Sequence, residues 1–577
     1  MIYGICSIFR SSTAEFSFNL LLLVKNRPGG LFYAPSPRPA QETLGGFKLY
    51  EVPMKSESDT HRPHSTGSLT PESSERSFSS VLHQLWSNKN PLDAQMLSQR
   101  KTKIVATLGP SSRAPEKIKD LITAGANVFR LNFSHGTHEE HLAVLKDVRS
   151  IAKEMGAHIA ILQDLSGPKI RISNVEGDFC PIHDGQSIEL RVADKTLSNA
   201  HAIYVETVNP MKTLLPGHHV LLADGLIELV TEDVALDHVR CKVIKGGRIR
   251  SRVGIAFPDS DVDLPATTKK DLVDLEWGIT NGVDYVAISF VRSASDVLSL
   301  REIINQRGAA AGIIAKIERR AALENIEEIV RASDGLMVAR GDLGLEVPLE
   351  QLPMLQRKLI EEANFRGIPV IVATQMMHSM ITSVRPTRAE VSDIAAAVMG
   401  GADAVMLSDE TAIGEHPAAC VGYLSRIALA AEQTFAFEEY KLRLRNSDTL
   451  TVPDAIAYAA CAASIKTSAA ALIACTETGT SARLVAKYRP QQPLYGVSRK
   501  ETTLRRMALY WGVKPCEFES AKNHTDEIER ALQVVQVLEN LPNGSRAVVT
   551  GGRFTQTPGG TSMLEVRELN YRTGSRI

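Results

Sequence analysis

Residues 312–348, GIIAKIERRAALENIEEIVRASDGLMVARGDLGLEVP, contain two apolar runs that each end in charge. The first closes on Lys316 and Glu318, the second on Arg340 and Asp342. Two strands that are apolar throughout yet finish on charged side chains point at a shared ligand at one end of a sheet. The pattern recurs. From residue 100 onward a short apolar strand, a helical stretch and another strand repeat, with strands expected at 103–109, 128–134, 159–165, 283–290, 312–318, 335–342, 369–375 and 403–409. Between them, as at 115–124 and 351–366, apolar residues recur at spacings of three and four, which predicts helices. Eight parallel strands joined by crossover helices predict an α/β fold, a (β/α)8 TIM barrel.

Strand periodicity then says where the chemistry lies. In VFRLNFSH, Arg130, Asn132 and Ser134 share one face and Phe129, Leu131 and Phe133 the other. Lys316 and Glu318 repeat the alternation, and Asp164, Asp342, Thr374 and Ser408 sit at carboxyl ends of their strands. Barrel enzymes gather their working groups at that rim. A Glu and an Asp on adjacent strands suit Mg2+, which takes one or two carboxylates and completes its shell with substrate oxygens. Arg130 and Lys316 beside them suit a phosphoryl group, while some of these charges also serve as ion pairs. The turn in ARGDLGLEVPLEQL runs into a short helix whose free N–H groups could hold a carboxylate or phosphate. The residues alone imply Mg2+-assisted chemistry on a small phosphorylated or carboxylated metabolite.

The interval between the third and fourth strands is far longer than the rest and holds an inserted domain. Residues 168–264 alternate in short strands broken by Gly and Asp turns (SIELRVA, HVLLADGLIELVTEDV, HVRCKVIKGGRIRS), the pattern of a small β-barrel module. Tethered near Pro168 and Pro265, it reads as a lid that keeps water from the reacting group. The barrel then occupies 98–167 and 265–435, and 436–577 is a separate α/β domain with strands such as AALIACT, PLYGVS, KPCEF and RAVVTG. In CTETGTSARLVAKYRP a strand passes through Thr476, Thr478, Gly479, Thr480 and Ser481 into a helix. That is a candidate phosphate cradle, or alternatively a hydroxyl N-cap, with GGRFTQTPGGTS as a second wall.

A chain of 577 residues is too long for one core, so two to four domains are expected. Apolar content of 44% and charged content of 23% are those of a soluble globular protein. The net charge of −1 argues against nucleic acid or another polyanion as partner. Seven cysteines without CxxC spacing suit a reducing compartment, and the expected location is the cytoplasm. Residues 1–97, rich in Ser, Pro, Thr and His, read as a disordered extension or as a leader upstream of a true start at Met54 or Met96. Their one apolar run, FSFNLLLLV at 16–24, is too short to span a bilayer and lacks a clear signal-peptide cleavage site; organellar targeting is the alternative.

KIVATLGPSS, VFRLNFSHG, DLSGPKIR, LLADGLIEL, IAKIE, DGLMVARGDLG, VIVATQMMHSM, RPTRAEVSDIAAAV and AVMLSDETAIGEHP resemble the pyruvate kinase family, in the family's order from about residue 100 to the C-terminus. The resemblance implies transfer of the phosphoryl group of phosphoenolpyruvate to ADP, giving pyruvate and ATP. It places Arg130 on the substrate phosphate and Lys316 where charge builds on the phosphoryl group and enolate oxygen. Glu318 and Asp342 bind Mg2+, or Mn2+ in its place, and the amides of Gly341 and Asp342 with Thr374 cradle the substrate carboxylate. A water relay past Thr374 and Ser408 protonates the enolate, since a threonine hydroxyl is too weak an acid to be the ultimate donor. Asn132, Phe133, Ser134, His135, Arg171 and Arg252 hold the nucleotide, with Thr107 and Pro110 near its base or ribose. Arg252 stands where many members carry lysine. Members that need K+ bind it at positions matching Asn132, Ser134, Asp164 and Leu165, with Thr at the last and Glu at the position of Lys169. Here Leu165, Ser166 and Lys169 depart from that pattern, so the tethered ammonium is expected to replace K+. The loop 476–481 is expected to take a sugar-phosphate or nucleotide effector, and the family implies a homotetramer. Two competing readings are a Mg2+-dependent barrel aldolase acting on 2-oxo acids and a non-catalytic phosphometabolite sensor. The aldolase has no need of the lid or of Arg171 and Arg252, and a silent sensor no need of Arg130, Lys316, Glu318, Asp342 and Thr374 together.

Overall fold

The computed structural model describes residues 99–570 apart from 194, 207, 208, 210, 211, 261, 263, 438, 439, 441–450, 519, 520 and 553–559. The N-terminal extension with its apolar run therefore lies outside the described residues, as do 553–559 of the expected second wall. Among the described residues, no helix is long and apolar enough to cross a membrane.

All eight expected strands form: β1 (Lys103–Thr107), β2 (Val128–Asn132), β3 (Ala160–Asp164), β4 (Tyr285–Ile288), β5 (Gly312–Ile317), β6 (Gly335–Ala339), β7 (Val370–Ala373) and β8 (Ala404–Leu407). They pair in parallel, each with its neighbours in sequence, and β1 closes the cylinder against β8. Alternation sorts their side chains as strand geometry requires. Ile104, Phe129, Leu131 and Val286 pack outward into the helix layer, while Val105, Val128, Leu162, Ile314 and Met406 fill the interior. The crossover helices start where the sequence caps them. Thr137 with Glu140, Thr268 with Asp271 and Thr387 with Glu390 each form a reciprocal capping box.

Between β3 and β4 the chain builds a separate sheet-rich module. Its six strands run in the order Ile255–Ala256, His219–Leu222, Ile227–Val234, Val239–Lys245, Ser187–Val192 and Ala202–Val205, beside a ribbon of Gly247–Ile249 with Cys180–Ile182. Entry and exit pair with each other: Ile172 donates to Val253 O and Ile255 to Ile170 O, both at 3.1 Å. The C-terminal domain is a five-stranded sheet ordered Val513–Glu517, Leu494–Ser498, Ala471–Cys475, Arg546–Gly552 and Thr561–Glu568, parallel except for the last.

This domain packs on the amino-terminal end of the barrel, opposite the rim that the polar strand ends occupy. The apolar interior of the barrel continues without a break into Val485, Leu504 and Met507, and Tyr285 donates its hydroxyl to Arg506 O at 2.8 Å. Lys103 is buried in this junction, with Nζ donating to Val513 O at 2.7 Å. Burial, then the neighbouring Arg100, against the opposing pull of Glu432, push its ammonium down to about 7. An unfolded lysine titrates near about 10.4. Between those values the unfolded chain holds a proton that the folded chain has lost, so stability rises with pH, by up to about 1.4 kcal/mol per pH unit. Below about 7 both states are protonated and this contribution is flat. Calorimetric melts are expected to show the wild-type Tm rising from neutral pH towards pH 9 more steeply than that of Lys103→Met; equal slopes would exclude the assignment.

Candidate active site

Strand ends β1 to β5 bring their polar side chains together at the carboxyl rim. Lys316, on β5, lies 3.1 Å from Asp164 Oδ1 on β3 and 3.0 Å from Glu318 Oε1, and donates to Ser289 Oγ at 2.7 Å. Arg130, on β2, donates from Nε to Asp164 Oδ2 at 2.7 Å and from Nη1 to Thr107 Oγ1 at 3.1 Å. Among the described residues no protein acceptor takes Nη2 of Arg130, which leaves that arm of the fork for a ligand. Glu318 also accepts the Phe290 N–H at 2.7 Å.

These charges are removed from water and hold one another. Burial would raise the Asp164 carboxyl, but Lys316 and Arg130 outweigh it and keep it below the usual carboxylate range. Burial would likewise lower Lys316, yet Asp164 and Glu318 raise its ammonium above that of an ordinary lysine. Lys316 is thus a permanent cation and cannot serve as a proton donor near neutrality. Glu318 moves the other way: burial, opposed by Lys316 and reinforced by the nearby Asp342, raises its carboxyl. The Glu318 and Asp342 carboxylates form one edge of the site, with Lys316 3.0 Å from the first and Lys169 2.9 Å from the second.

That edge is where a metal fits. Among the described residues no three His, Cys, Asp or Glu side chains gather into an all-protein cage. Two carboxylates that crowd each other are the donor set that Mg2+ accepts when substrate and water supply the rest.

The structure corrects several expectations. β6 ends at Ala339, and Arg340–Glu346 is already helical, so strand alternation does not extend to Arg340. Arg340 turns from the rim centre and donates to Ala373 O at 3.2 Å, Thr374 O at 2.6 Å and Asp393 Oδ2 at 2.6 Å. It thereby fixes a strained corner, for Thr374 and Gln375 have φ of 71° and 54°, unusual for any residue with a side chain and more so for a β-branched one. The Gly341 amide is engaged, donating to Thr374 Oγ1 at 2.8 Å, so a carboxylate ligand must displace that bond. Ser408 follows β8 as Thr374 follows the paired β7, and the Ser408 N–H donates to Glu410 Oε2 at 2.7 Å.

Of the expected nucleotide contacts, the Phe133 ring is core, 2% exposed and stacked on His141 at 4.3 Å between centroids, so only its backbone faces the rim. Asn132 caps its own turn, its Oδ1 accepting the Ser134 N–H at 3.1 Å, while Ser134, His135 and Pro110 are exposed. Arg171 donates to Arg252 O at 2.9 Å, and Arg252, in the left-handed region at φ 59°, pairs with Glu206 at 2.9 Å. Leu165 is buried, and its carbonyl accepts the Ser289 hydroxyl at 2.8 Å; Ser166 Oγ donates to Phe133 O at 3.0 Å. Lys169 does not join Asp164, whose oxygens Arg130 and Lys316 already hold. Its Nζ donates to Asp342 Oδ1 at 2.9 Å.

In the C-terminal domain, the hydroxyls of the 476–481 loop largely serve the loop. Thr476 Oγ1 accepts the Gly479 N–H at 3.0 Å, Thr478 bonds Thr480 at 2.9 Å, and buried Ser481 bonds Thr561 at 2.6 Å. Gly479 has φ of 87°, which allows the sharp entry into helix Thr480–Lys487.

Two groups escaped the sequence reading. Ser289 follows β4 with the same parity as inward-facing Tyr285 and Ala287, so alternation could have found it. Lys270, which donates to Phe133 O at 2.7 Å and pairs with Asp274, lies on a neighbouring helix and leaves no strand signature.

The model of the pyruvate kinase barrel domain matches residues 99–421, and that of the pyruvate kinase alpha/beta domain residues 454–567. A pyruvate kinase of Staphylococcus aureus (strain MRSA252) is 39% identical over 474 residues, 81% of this chain and 80% of the relative. Pyruvate kinase 2 of Synechocystis sp. is 40% identical over 487 residues, 83% of this chain and 81% of the relative. A crystal structure of a pyruvate kinase from Cryptosporidium parvum superposes with a TM-score of 0.78 at 34% identity, covering 83% of this chain and 98% of that one. With the barrel, the inserted module and the C-terminal sheet in this order, and the match running through all of them, the chain belongs to the pyruvate kinase family.

Proposed function

We propose that this chain transfers the phosphoryl group of phosphoenolpyruvate to ADP, forming pyruvate and ATP in glycolysis. The observation that carries the reading is the Lys316 ammonium, fixed as a cation between Asp164 at 3.1 Å and Glu318 at 3.0 Å. Phosphoryl transfer asks little covalent chemistry of a protein and much positive charge, rigidly aimed. Lys316 supplies it where charge develops on the transferred group and the enolate oxygen. Arg130, braced by Asp164 and Thr107, offers the substrate phosphate its remaining guanidinium nitrogen. Glu318 and Asp342 are the residues that would hold Mg2+, or Mn2+, which when bound would supply positive charge to the phosphate and enolate oxygens. Thr374, held by Arg340, and Ser408 line the face from which a water delivers the final proton to carbon. Asn132, Ser134, His135, Arg171 and Arg252 meet the nucleotide, with Thr107 and Pro110 alongside. The inserted module, within 168–264, serves as the lid between barrel segments 98–167 and 265–435, and 436–577 is regulatory. The loop 476–481 takes a sugar-phosphate or nucleotide effector, and the working assembly is a cytoplasmic homotetramer.

Pyruvate formation followed with a coupled dehydrogenase tests the activity. Turnover that needs phosphoenolpyruvate, ADP and Mg2+ together supports it; carbon–carbon cleavage of a 2-oxo acid without ADP favours an aldolase, and metabolite binding without turnover a sensor.

K+ is not required in this reading. Asn132 Oδ1 is taken by the Ser134 N–H at 3.1 Å. Lys316 and Arg130 already bring positive charge to Asp164, at 3.1 Å from Oδ1 and 2.7 Å from Oδ2. Leu165 has no side-chain oxygen to offer. An assay with tetramethylammonium as the only added monovalent cation is expected to give the rate seen in K+. A collapse that K+ reverses would exclude it.

A further inference from the structure

Lys169 sits where the lid module joins the barrel. Its stem crosses the paired hinge strands, so close to Gly254 that a Cβ there would lie 3.2 Å from Lys169 Cε. Its ammonium meets two carboxylates of different origin: Asp342 of the rim at 2.9 Å and Asp224 of the lid at 3.9 Å. Asp224 is held out for this contact by an unusual turn. Ala223, Asp224 and Gly225 are consecutive left-handed residues, with φ of 52°, 54° and 81°, between strands His219–Leu222 and Ile227–Val234. The same turn lies against the rim helix, where a Cβ on Gly225 would come within 3.1 Å of Leu345. The three charged side chains are partly open to solvent, at 32% for Lys169, 27% for Asp342 and 78% for Asp224, so they are free to re-pair.

We infer that Lys169 is a cation-responsive strap that couples divalent-metal binding at Asp342 to the position of the lid. The inference rests on Asp342 being a metal ligand. An ammonium hydrogen-bonded to a carboxylate oxygen and a divalent cation bound to that carboxylate repel each other at close range. Metal binding therefore drives Lys169 off Asp342. Among the described residues the other carboxylate within 4.0 Å of its ammonium is Asp224, and pairing with it draws the lid turn onto the rim. The coupling is reciprocal: whatever closes the lid relieves Asp342 of its internal competitor and tightens the metal.

Titration of the full chain with Mn2+, free ion read by electron paramagnetic resonance and substrates absent, tests this. Lys169→Met is expected to bind Mn2+ about tenfold more tightly than wild type, within the usual range of coupling between sites. Lys169→Arg keeps the charge and should stay close to wild type, which separates competition from a general disturbance of the hinge. Asp224→Asn should weaken Mn2+ binding in the wild-type background and much less in Lys169→Met. Spin labels at exposed Leu236 of the lid and Leu298 of the barrel give a second readout. Mg2+ should shift their distance distribution in wild type but not in Lys169→Met or Asp224→Asn. Asp342→Asn distinguishes the levels: if it abolishes Mn2+ binding while Lys169→Met changes neither affinity nor distance, the strap is wrong and the metal site stands. If Asp342→Asn leaves Mn2+ binding intact, both are wrong.

Discussion

Lys316→Met is expected to lower kcat about a thousandfold with a much smaller change in KM for phosphoenolpyruvate. One cation about 4 Å from a developing charge, at an effective dielectric of about 20, contributes roughly 4 kcal/mol, and each 1.36 kcal/mol is about tenfold in rate. Only 12% of the Lys316 side chain is exposed, so solvent screening takes little from that figure. The loss falls on kcat because the charge Lys316 meets is greater in the transition state than in the bound substrate. The variant should remain folded: Asp164 keeps its 2.7 Å bond to Arg130, and Glu318 keeps the Phe290 N–H at 2.7 Å. A thermal melt checks this. Lys316→Arg retains the charge but spreads it over a planar fork that cannot reach Asp164, Glu318 and Ser289 together, and should recover only part of the rate. A Lys316→Met enzyme within about tenfold of wild type would remove electrostatic stabilisation as the main catalytic device.

The convergence behind this expectation was legible in the sequence because strand geometry is. A side chain's parity on a buried strand fixes its face, and the carboxyl end of a barrel strand fixes its height, so Arg130, Asp164 and Lys316 could be placed from spacing alone. Parity fails where the strand stops. Arg340 follows Ala339 by one residue, but the backbone is helical there, and its guanidinium swings to the carbonyls of residues 373 and 374. Phe133 and Leu165 illustrate a second limit. A family motif marks a stretch, while burial decides which atoms of it face the ligand, and both side chains belong to the packed layer under the rim. Lys169 illustrates a third. Its ammonium lies 2.9 Å from Asp342 and 3.9 Å from Asp224, partners far away in sequence that no spacing or parity could rank against Asp164. Nothing in the sequence announced the seam between barrel and C-terminal domain, because its polar groups come one at a time from distant elements.

Arg489→Met, at that seam, is expected to lower the stability of the folded chain by about 3–5 kcal/mol, the usual result of stripping one partner from a buried ion pair. Arg489 is 1% exposed. Its Nη1 donates to Asp403 Oδ1 at 2.7 Å, and its Nη2 to Asn364 Oδ1 at 2.8 Å and Gly401 O at 2.7 Å. Its guanidinium also lies 4.9 Å from the centroid of Trp511, a cation–π contact that methionine cannot reproduce. Once the arginine is gone, Asp403, itself 4% exposed, retains among the described residues only the Val370 N–H at 2.9 Å as a partner for its carboxylate. The cost is therefore the stranded anion more than the lost attraction, and this makes a distinctive expectation. Asp403→Asn added to Arg489→Met should restore much of the stability, because the amide is neutral and can still accept from Val370. Arg489→Lys should fall between, keeping the charge and losing the fork that reaches Asp403 and Gly401 at once. The consequence extends to the active site through the backbone. Asp403 accepts the Lys103 N–H at 2.8 Å and donates its own N–H to Val370 O at 3.0 Å, so it binds together the lower ends of β1, β7 and β8. Thr374 and Ser408 stand at the upper ends of the last two. Denaturant melts of the three variants decide the matter: if the double variant is no more stable than Arg489→Met, packing of the guanidinium on Trp511, and not the charge on Asp403, holds the C-terminal domain to the barrel.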